Sequence, residues 1–288
     1  MALFTPTSYW GGGSSGPPPP FNPNFLGTSL WSWLSMNGGS IGTNSTITSV
    51  TDLGSGSTPW AVGGSAGTSY AQRNTTSAIT YNGSNAVYSA FDGTADYWRT
   101  NNFVTMTDGS GNTYITMLCY VYNSDQKNDS IISLGGSRDF QISSNNGGTW
   151  SGQFDMSGLS STSILSWYSD NGTTRNYTFQ WNIFAFVFNK TGNQIYGRIN
   201  GYPLSNTVTY SSAITAGYIR LPVNRLGSRR LQMDMAEMLI VRDKPGTSSN
   251  TSIENLEKVE GWLAWTYGTE GRLNPTHPYA NASPKTGS

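Results

Sequence analysis

Cysteine and histidine are nearly absent from this sequence of 288 residues, which contains one of each. Because Cys119 is the only cysteine, no internal disulfide can form, and its place in the apolar segment YITMLCYVY indicates a buried strand residue. Because His277 is the only histidine and no cysteine cluster accompanies it, a histidine-based metal site is excluded. No G-x-S-x-G nucleophile motif occurs either, so we expect His277 to be a packed residue.

Charged residues are also scarce. They make up 11% of the chain, and 16 Lys and Arg balance 16 Asp and Glu. Binding to nucleic acid depends on a basic surface, and attraction to an anionic membrane depends on clustered Lys and Arg. The composition therefore argues against both partners.

Long apolar runs are missing as well. No segment approaches the length of a transmembrane helix. The first residues, MALFTPTSYW, lack the basic region and the continuous apolar region of a signal peptide. The sequence therefore predicts a protein that is made in the cytoplasm without a secretion signal.

Short strands separated by turns fill most of the chain. Alternating β-branched and aromatic residues predict strands in AITYNGSNAVYSAF, TYITMLCYVY, SIISLG, DFQISS, IFAFVFN, QIYGRING and MAEMLIVRD. Hairpin turns are indicated at Asn82-Gly83, Asn146-Gly147, Asn171-Gly172 and Asn200-Gly201. This spacing predicts an all-β antiparallel fold in one domain, residues 28–288.

Residues 1–27 differ from this pattern and predict an extended N-terminal arm. The segment has no charged side chain, a flexible GGGSSG stretch and a stiff run of four prolines. It cannot bury a core of its own, so we expect it to become ordered against a partner. The predicted anchoring residues are Phe4, Tyr9, Trp10, Pro17, Pro18, Pro19, Pro20 and Phe21.

One helix is predicted near the end of the chain, over residues 252–267. Thr251 and Glu254 have capping-box spacing, Glu254 and Lys258 form an i,i+4 ion pair, and Gly268 stands where a glycine ends a helix. An apolar stripe consists of Ile253, Leu256, Val259, Leu263 and Tyr267, with Glu260 as the alternative to Val259. A helix with one apolar face should pack on the β domain.

Three motifs that occur in this order indicate a family resemblance over about residues 28–280. They are Phe91-Asp92-Gly93 with Asp96-Tyr97; Ile195-Tyr196-Gly-Arg-Ile-Asn200-Gly201; and an ending of Ala236-Glu237-Met-Leu-Ile-Val241, Glu254-Asn-Leu-Glu-Lys-Val-Glu-Gly-Trp-Leu-Ala-Trp265, Gly268, Leu273 and His277-Pro278-Tyr279. Together they resemble a group of concanavalin A-like (laminin-G-like) lectin and glucanase domains of the kind found in tailed-phage structural proteins. The resemblance implies a two-sheet jelly-roll sandwich with the C-terminal helix packed on it.

The segment QMDMAE, Gln232–Glu237, is the sharpest candidate for chemistry. Laminarinase-type glucanases of this fold carry E-x-D-x-x-E on one strand, with a nucleophile, a tuning Asp and an acid/base Glu. Here Asp234 and Glu237 match, but Gln232 stands at the nucleophile position, and an amide cannot form the glycosyl intermediate. We therefore expect no catalytic residue, with Asp234 and Glu237 structural and Glu237 paired to an arginine.

Two other kinds of site have candidates. Exposed loop aromatics stack on sugar rings, and Trp60, Trp150, Trp167 and Tyr168 are the candidates for glycan binding, although such rings also pack in cores or at oligomer interfaces. No metal or other cofactor is required by the pattern. The weak candidates for a structural calcium ion are Asp92, Asp96, Asp125 and Asp129, which could equally form turns.

The resemblance, the arm and the missing signal peptide together predict a non-enzymatic phage virion protein on the particle surface. The first hypothesis is a capsid decoration protein, with the arm on the major capsid protein or another virion protein and the lectin-like domain exposed, as a homo-oligomer. The alternative is a tail-fibre or baseplate adhesin that binds host-surface carbohydrate. A glycan hydrolase of the laminarinase type is the second alternative.

Overall fold

The computed structural model describes residues 21–285. Gaps in this description lie at residues 57–58, 64–69, 105–111, 123–128, 135–137, 144–152, 158–163, 167–168, 171–172, 175–179, 190–193, 204–207, 210–216, 224–226, 228–229 and 243–248.

Eighteen strands and one α-helix are described. In chain order the strands are β1 Leu30–Ser35, β2 Trp60–Gly63, β3 Gln72–Tyr81, β4 Ser84–Asp92, β5 Tyr97–Thr100, β6 Thr113–Val121, β7 Asp129–Leu134, β8 Arg138–Ser143, β9 Gln153–Ser157, β10 Ile164–Ser166, β11 Ser169–Asp170, β12 Thr173–Thr174, β13 Trp181–Asn189, β14 Gln194–Ile199, β15 Tyr202–Pro203, β16 Val208–Thr209, β17 Ile219–Leu221 and β18 Gln232–Arg242. Short 3-10 helices span Pro23–Ser29 and Glu270–Arg272, and the α-helix, α1, spans Ser249–Thr266.

The strands form two large antiparallel sheets and one small pair. The larger sheet has the order β15-β14-β13-β6-β18-β4-β3, with β1 also paired to β18 and β16 to β14. The smaller sheet has the order β10-β9-β8-β7-β17-β5-β2, and β11 pairs with β12. The prediction of an all-β sandwich with a C-terminal helix is confirmed.

Two apolar cores lie on the two faces of the larger sheet. The first fills the space between the sheets, where Met233, Met235 and Met238 of β18 pack with Ile131 and Leu134 of β7. The second lies on the outer face, beneath α1. Cys119 belongs to the first core, as predicted from its apolar segment.

A β-bulge in β18 decides which side chains face outward. The pairing of β18 with β6 shifts register between Met235 and Glu237. Met235 and Met238 both face the inter-sheet core, so the two residues between them, Ala236 and Glu237, both face outward. Asp234, between Met233 and Met235, also lies on the outer face.

Helix α1 packs its apolar side on that outer face. Leu256, Val259, Leu263 and Tyr267 are buried against the sheet, as the stripe predicts. Ile253 is the exception, since it is 47% exposed.

The ends of α1 test two further predictions. The helix begins at Ser249, so Thr251 lies within its first turn and the predicted capping box is wrong. At the other end, Gly268 has φ +67° and the Thr269 amide donates to the Ala264 carbonyl at 2.8 Å, which is the glycine-ended termination predicted. The Glu254–Lys258 pair is present at 2.8 Å.

The C-terminal tail folds back over the β14–β15 turn. His277 is buried, with Nε2 3.2 Å from Glu260 Oε2, and Arg198 Nη2 lies 2.9 Å from the same oxygen. Asn200 and Gly201 form the predicted turn with φ of +51° and +76°. A Cβ on Gly201 would lie 2.5 Å from His277 Cδ2, so this turn and the tail are in direct contact.

We expect Gly201→Ala to be clearly more destabilising than Gly83→Ala. Both glycines have positive φ in Asn-Gly hairpin turns, +76° and +80°, so both substitutions carry the same backbone penalty of about 1 kcal/mol. Only at Gly201 would the new Cβ meet another side chain, whereas nothing lies within 4 Å at Gly83. Urea denaturation should show about 1–3 kcal/mol of additional loss for Gly201→Ala. Equal losses would show that the tail does not pack on the turn as described.

The predicted boundary between arm and domain needs one correction. The sequence predicts Phe21 as an arm residue in contact with a partner, but Phe21 is 5% exposed and belongs to the outer core. Its amide donates to the Pro284 carbonyl at 2.9 Å. The sandwich therefore already includes Phe21, while the other anchoring candidates, in residues 1–20, lie outside the described residues.

Candidate functional site

A row of side chains crosses the outer face of the larger sheet. Strand register places Gln72 opposite Ala90, Ala90 opposite Asp234, Asp234 opposite Tyr120, and Tyr120 opposite Trp181. Directly opposed residues in antiparallel strands project on the same face. Side chains from five strands, four of them polar or aromatic, therefore share one surface.

Aromatic rings contact one another across this surface. The rings of Tyr88 on β4 and Trp181 on β13 have centroids 5.6 Å apart, although β18 and β6 lie between their strands. Tyr120 continues the contact, 5.9 Å from Trp181 and 4.9 Å from Tyr122. The rings therefore lean towards one another above β18 and β6.

Beside these rings lies a cleft of about 300 Å³. Its polar lining includes the amides of Gln72, Asn74 and Gln232. Its aromatic lining includes Tyr70, Tyr88 and Tyr122. Its volume lies at the lower end of the range of small-molecule sites.

Asp234 is the most unusual group in the cleft. Its side chain is 5% exposed, and the Tyr122 hydroxyl donates to Oδ2 at 2.9 Å. Within the described residues Oδ1 receives no hydrogen bond, although the residue lines the cleft. Burial raises the pKa of Asp234 to about 7, against the opposing effect of the Tyr122 hydrogen bond. Asp234 therefore offers a nearly buried carboxylate to a ligand in the cleft.

Two further carboxylates, those of Asp92 and Asp96, line the cleft, but both accept hydrogen bonds within a turn. The Thr94 amide donates to Asp92 Oδ1 at 2.7 Å, and the Asp92 amide donates to Asp96 Oδ2 at 3.1 Å. Although partial burial acts to raise it, these turn hydrogen bonds lower the pKa of Asp92 to about 2. Asp92 is consequently ionised throughout the neutral range.

Glu237 lies on the same face as Asp234 but not in the cleft. It is completely buried beneath α1, where its carboxylate accepts hydrogen bonds from the Trp33 indole, the Ser35 hydroxyl at 2.9 Å and the Tyr267 hydroxyl. Burial raises the pKa of Glu237 to about 7, while these three donors act in the opposite direction. Among the described residues its partners are thus Trp, Ser and Tyr, and the expected arginine partner is wrong.

The glucanase arrangement is not assembled at QMDMAE. The bulge places Asp234 and Glu237 on one face, as an E-x-D-x-x-E strand requires, but helix α1 and Trp33 cover Glu237. Gln232 is exposed and lines the cleft as an amide. No two carboxylates of this motif can therefore reach one glycosidic bond.

The other sequence candidates lie elsewhere. Trp60 is 5% exposed, and its indole donates to Asp52 Oδ2 at 3.2 Å, so the expectation of an exposed glycan-stacking ring is wrong for this residue. Trp150, Trp167 and Tyr168 lie outside the described residues.

Of the calcium candidates, Asp92 and Asp96 lie together at the cleft, Asp129 begins β7, and Asp125 falls in a gap of the description. Within the described ranges, no group of three or more His, Cys, Asp or Glu side chains could hold a metal ion. The same part of the chain contains no helix long and apolar enough to cross a membrane.

Sequence reasoning missed the tyrosines of this surface. Tyr120 and Tyr122 alternate with Cys119 and Val121 in TYITMLCYVY, and the latter two face the inter-sheet core. Period-two alternation therefore placed both tyrosines on the outer face. That signal was present, but the pairing of their strand with β18 was not visible in the sequence.

The fold belongs to the class of two-sheet β-sandwiches with a lectin-like architecture. Domain 4 of AbnA, an extracellular GH43 arabinanase from Geobacillus stearothermophilus solved in complex with arabinotriose, is similar with a TM-score of 0.50 and 13% identity, covering 78% of this chain and 97% of that one. No protein-family model and no curated protein sequence matches the chain.

Two further solved structures are similar to this chain at lower TM-scores. Botulinum neurotoxin type C, whose cell entry depends on interaction with two ganglioside molecules, gives a TM-score of 0.46 at 13% identity, covering 81% of this chain and 52% of the toxin chain. A Trypanosoma rangeli sialidase gives 0.46 at 11% identity, with coverage of 75% and 31%. The chain therefore spans only about half or less of these two proteins.

Proposed function

We propose that this protein is a non-enzymatic carbohydrate-binding domain whose site is the cleft on the outer face of the larger sheet. The observation that carries the proposal is Asp234, a nearly buried carboxylate that lines the cleft and accepts a hydrogen bond from the Tyr122 hydroxyl at 2.9 Å. A sugar hydroxyl is a natural donor to this carboxylate, and hydrogen bonds to a charged acceptor are stronger than those between neutral groups.

The rest of the lining suits a sugar. Tyr70, Tyr88 and Tyr122 present amphipathic rings that can cover the apolar face of a pyranose or furanose. Gln72, Asn74 and Gln232 offer both donors and acceptors, which match hydroxyl groups in either direction. The similarity to an arabinanase domain solved with arabinotriose supports a carbohydrate ligand at the level of fold only.

The non-enzymatic part of the proposal rests on the missing carboxylate pair. Retaining and inverting glycosidases both need two carboxyl groups flanking the scissile bond. Gln232 replaces the first, and Glu237 is enclosed by Trp33, Ser35 and Tyr267. Asp234 is the one carboxylate of the QMDMAE motif that lines the cleft, so this motif cannot complete either mechanism.

Asp234→Asn should weaken glycan binding about tenfold or more, because hydrogen bonds to a charged acceptor contribute about 1.5–3 kcal/mol. The measurement is titration calorimetry at pH 8, where Asp234 is ionised, with oligosaccharides selected from a panel of neutral and acidic glycans. Tyr122→Phe should weaken binding as well, because it releases the Asp234 carboxylate from its hydrogen bond.

Glu254→Gln is the matched control for this experiment. It makes the same change from carboxylate to amide in the exposed pair with Lys258 on α1, away from the cleft residues. Its affinity should equal that of the unmodified protein. Unchanged affinity in both Asp234→Asn and Tyr122→Phe would contradict a site in this cleft.

We also propose that the domain is displayed on a phage virion, as a capsid decoration protein or, alternatively, as a tail-fibre or baseplate adhesin. The support is the similarity of the terminal motif to phage structural proteins and the charge-free, aromatic composition of the first twenty residues. Large aromatic side chains bury much area for few rotatable bonds, which suits an attachment segment.

Deletion of residues 1–20 should abolish incorporation into particles while leaving the melting temperature unchanged. The reason is that the described sandwich begins with Phe21, which is already buried against the outer core. Differential scanning fluorimetry and imaging of purified particles provide the two readouts. Retained incorporation would transfer the attachment to the sandwich itself.

A further inference from the structure

We infer that the cleft receives the end of a glycan chain and not an internal stretch of it; this inference rests on the proposed function and specifies how the ligand enters. Two features of the outer face carry it. The first is the change of exposure along the row of side chains that crosses the sheet, and the second is the position of the aromatic rings in that row.

Exposure falls along the row from β3 towards β18. Gln72 on β3 is exposed, Ala90 on β4 is partly exposed, and Asp234 on β18 is 5% exposed. All three line the cleft, and β3 is the last strand in the order of the larger sheet. Beyond Gln72 lies an isolated bridge to Thr46, which is itself partly exposed. The cleft therefore deepens from the β3 side of the sheet towards Asp234.

Aromatic rings close the row beyond Asp234. Tyr120 lies directly opposite Asp234 on the next strand and is partly exposed, so its ring stands beside the buried carboxylate. The Tyr120 ring contacts those of Tyr122 and Trp181, and Trp181 in turn contacts Tyr88. We call these four rings the aromatic wall. A chain that lies along the row from Gln72 ends against it.

The cleft is also closed along β18 in the direction of helix α1. Ala236 is the next outward-facing residue after Asp234 in that direction, and it is completely buried in the outer core. In the other direction Gln232 is exposed. Asp234 is therefore reached from the side of Gln72 and Gln232, and both residues lie on the same side of the aromatic wall.

A site that is closed beyond its deepest group favours a terminal sugar. An internal sugar has a neighbour on each side, so it needs a channel with two exits. A terminal sugar needs one exit, and it carries a free hydroxyl where an internal sugar carries a glycosidic bond. The hydroxyl can donate to the Asp234 carboxylate, whereas a glycosidic oxygen can only accept.

The test compares each polysaccharide with its own partial acid hydrolysate at equal mass. Neutral arabinan, galactan, xylan and β-glucan serve as probes, because hydrolysis multiplies their chain ends and keeps their sugar composition. Titration calorimetry at pH 8 gives the number of binding sites per gram. We expect that number to rise by the same factor as the number of reducing ends.

Tyr120→Ala examines the aromatic wall directly, because it removes the ring opposite Asp234. It should lower the ratio of binding sites between hydrolysate and intact polymer, since a chain could then continue past Asp234. Tyr120→Phe is the matched control, which keeps the ring and should keep the ratio. The melting temperature shows whether each variant is folded, and the comparison of hydrolysate with polymer stands on the unmodified protein alone.

The outcomes separate this inference from the proposed function. Binding sites per gram that do not increase on hydrolysis, with affinity lowered by Asp234→Asn, would overturn end recognition and leave the cleft as the glycan site. A ratio unchanged in folded Tyr120→Ala would also overturn the inference, because the aromatic wall would then not be its cause. Binding that ignores both Asp234→Asn and Tyr122→Phe, or no binding by any probe, would contradict the proposed site itself.

Discussion

Glu237→Ala should be among the most destabilising single substitutions in this protein, with an expected loss of about 3 kcal/mol or more in the free energy of unfolding. The carboxylate is the common acceptor for the Trp33 indole and the Ser35 and Tyr267 hydroxyls. An indole N–H can only donate. The hydroxyls of Tyr267 and Ser35 already accept from Asn37 Nδ2 at 3.1 Å and from the Gly38 amide at 2.8 Å, so their own protons would lose their partner.

Urea denaturation at pH 7 measures this loss directly. Tyr267→Phe removes one of the three donors and keeps the ring, so it should cost less, about 1 kcal/mol. Glu254→Ala is the surface control and should stay within about 0.5 kcal/mol, as exposed i,i+4 pairs do. A loss below that of Tyr267→Phe for Glu237→Ala would show that the carboxylate does not organise this cluster.

The second large effect is that of pH on the stability of the fold. Raising the pH from 5 to 8 should lower the stability of the fold, because the pKa of Glu237 rises from its ordinary 4.5 to about 7 and that of Asp234 from 3.8 to about 7. Between these values the folded protein holds protons that the unfolded chain has released. The stabilisation is fully present below the unfolded values and is lost as the pH rises through 7. For the fully buried Glu237 it amounts to about 3 kcal/mol.

Denaturation midpoints measured at pH 5, 6, 7 and 8 give the change of stability with pH. Asp234→Asn should flatten this dependence of stability on pH, since an amide does not titrate. Asp92 acts in the opposite sense and at lower pH, because its pKa is lowered to about 2, so its stabilisation is present above 3.8 and is lost on acidification. Stability that increases steadily from pH 5 to pH 8 would contradict the assignment of the two buried carboxyl groups.

Local patterns predicted much of this fold. The alternation in TYITMLCYVY and MAEMLIVRD and the turns at Asn82-Gly83 and Asn200-Gly201 depend on neighbouring residues alone, and all four are confirmed. The turns at Asn146-Gly147 and Asn171-Gly172 lie outside the described residues. The stripe of α1 was predicted for the same reason, apart from its exposed first member, Ile253.

Contacts between distant segments could not be predicted in this way. Glu237 meets Trp33 and Ser35 across about two hundred residues of chain, and no local pattern distinguishes an indole partner from an arginine. Trp60 ends the segment GSTPW, whose composition is typical of an exposed loop. Its indole nevertheless lies in the core, where it donates to Asp52. The cleft depends on the pairing of β4, β6 and β18, so its residues become neighbours only once the register is known.

The pairing of β1 with β18 has a mechanical consequence. Leu30 lies opposite Val241 and Ser35 opposite Glu237, so the two strands run past each other from the N-terminal end of β1 towards the cleft. If the arm is the attachment and Asp234 holds the ligand, tension between particle and ligand enters this ladder at opposite ends. Hydrogen bonds in an antiparallel ladder lie across the strands, so such a pull shears them together instead of opening them one at a time. The pairing of β1 with β18 would then resist the force that flow exerts on a particle bound to its ligand.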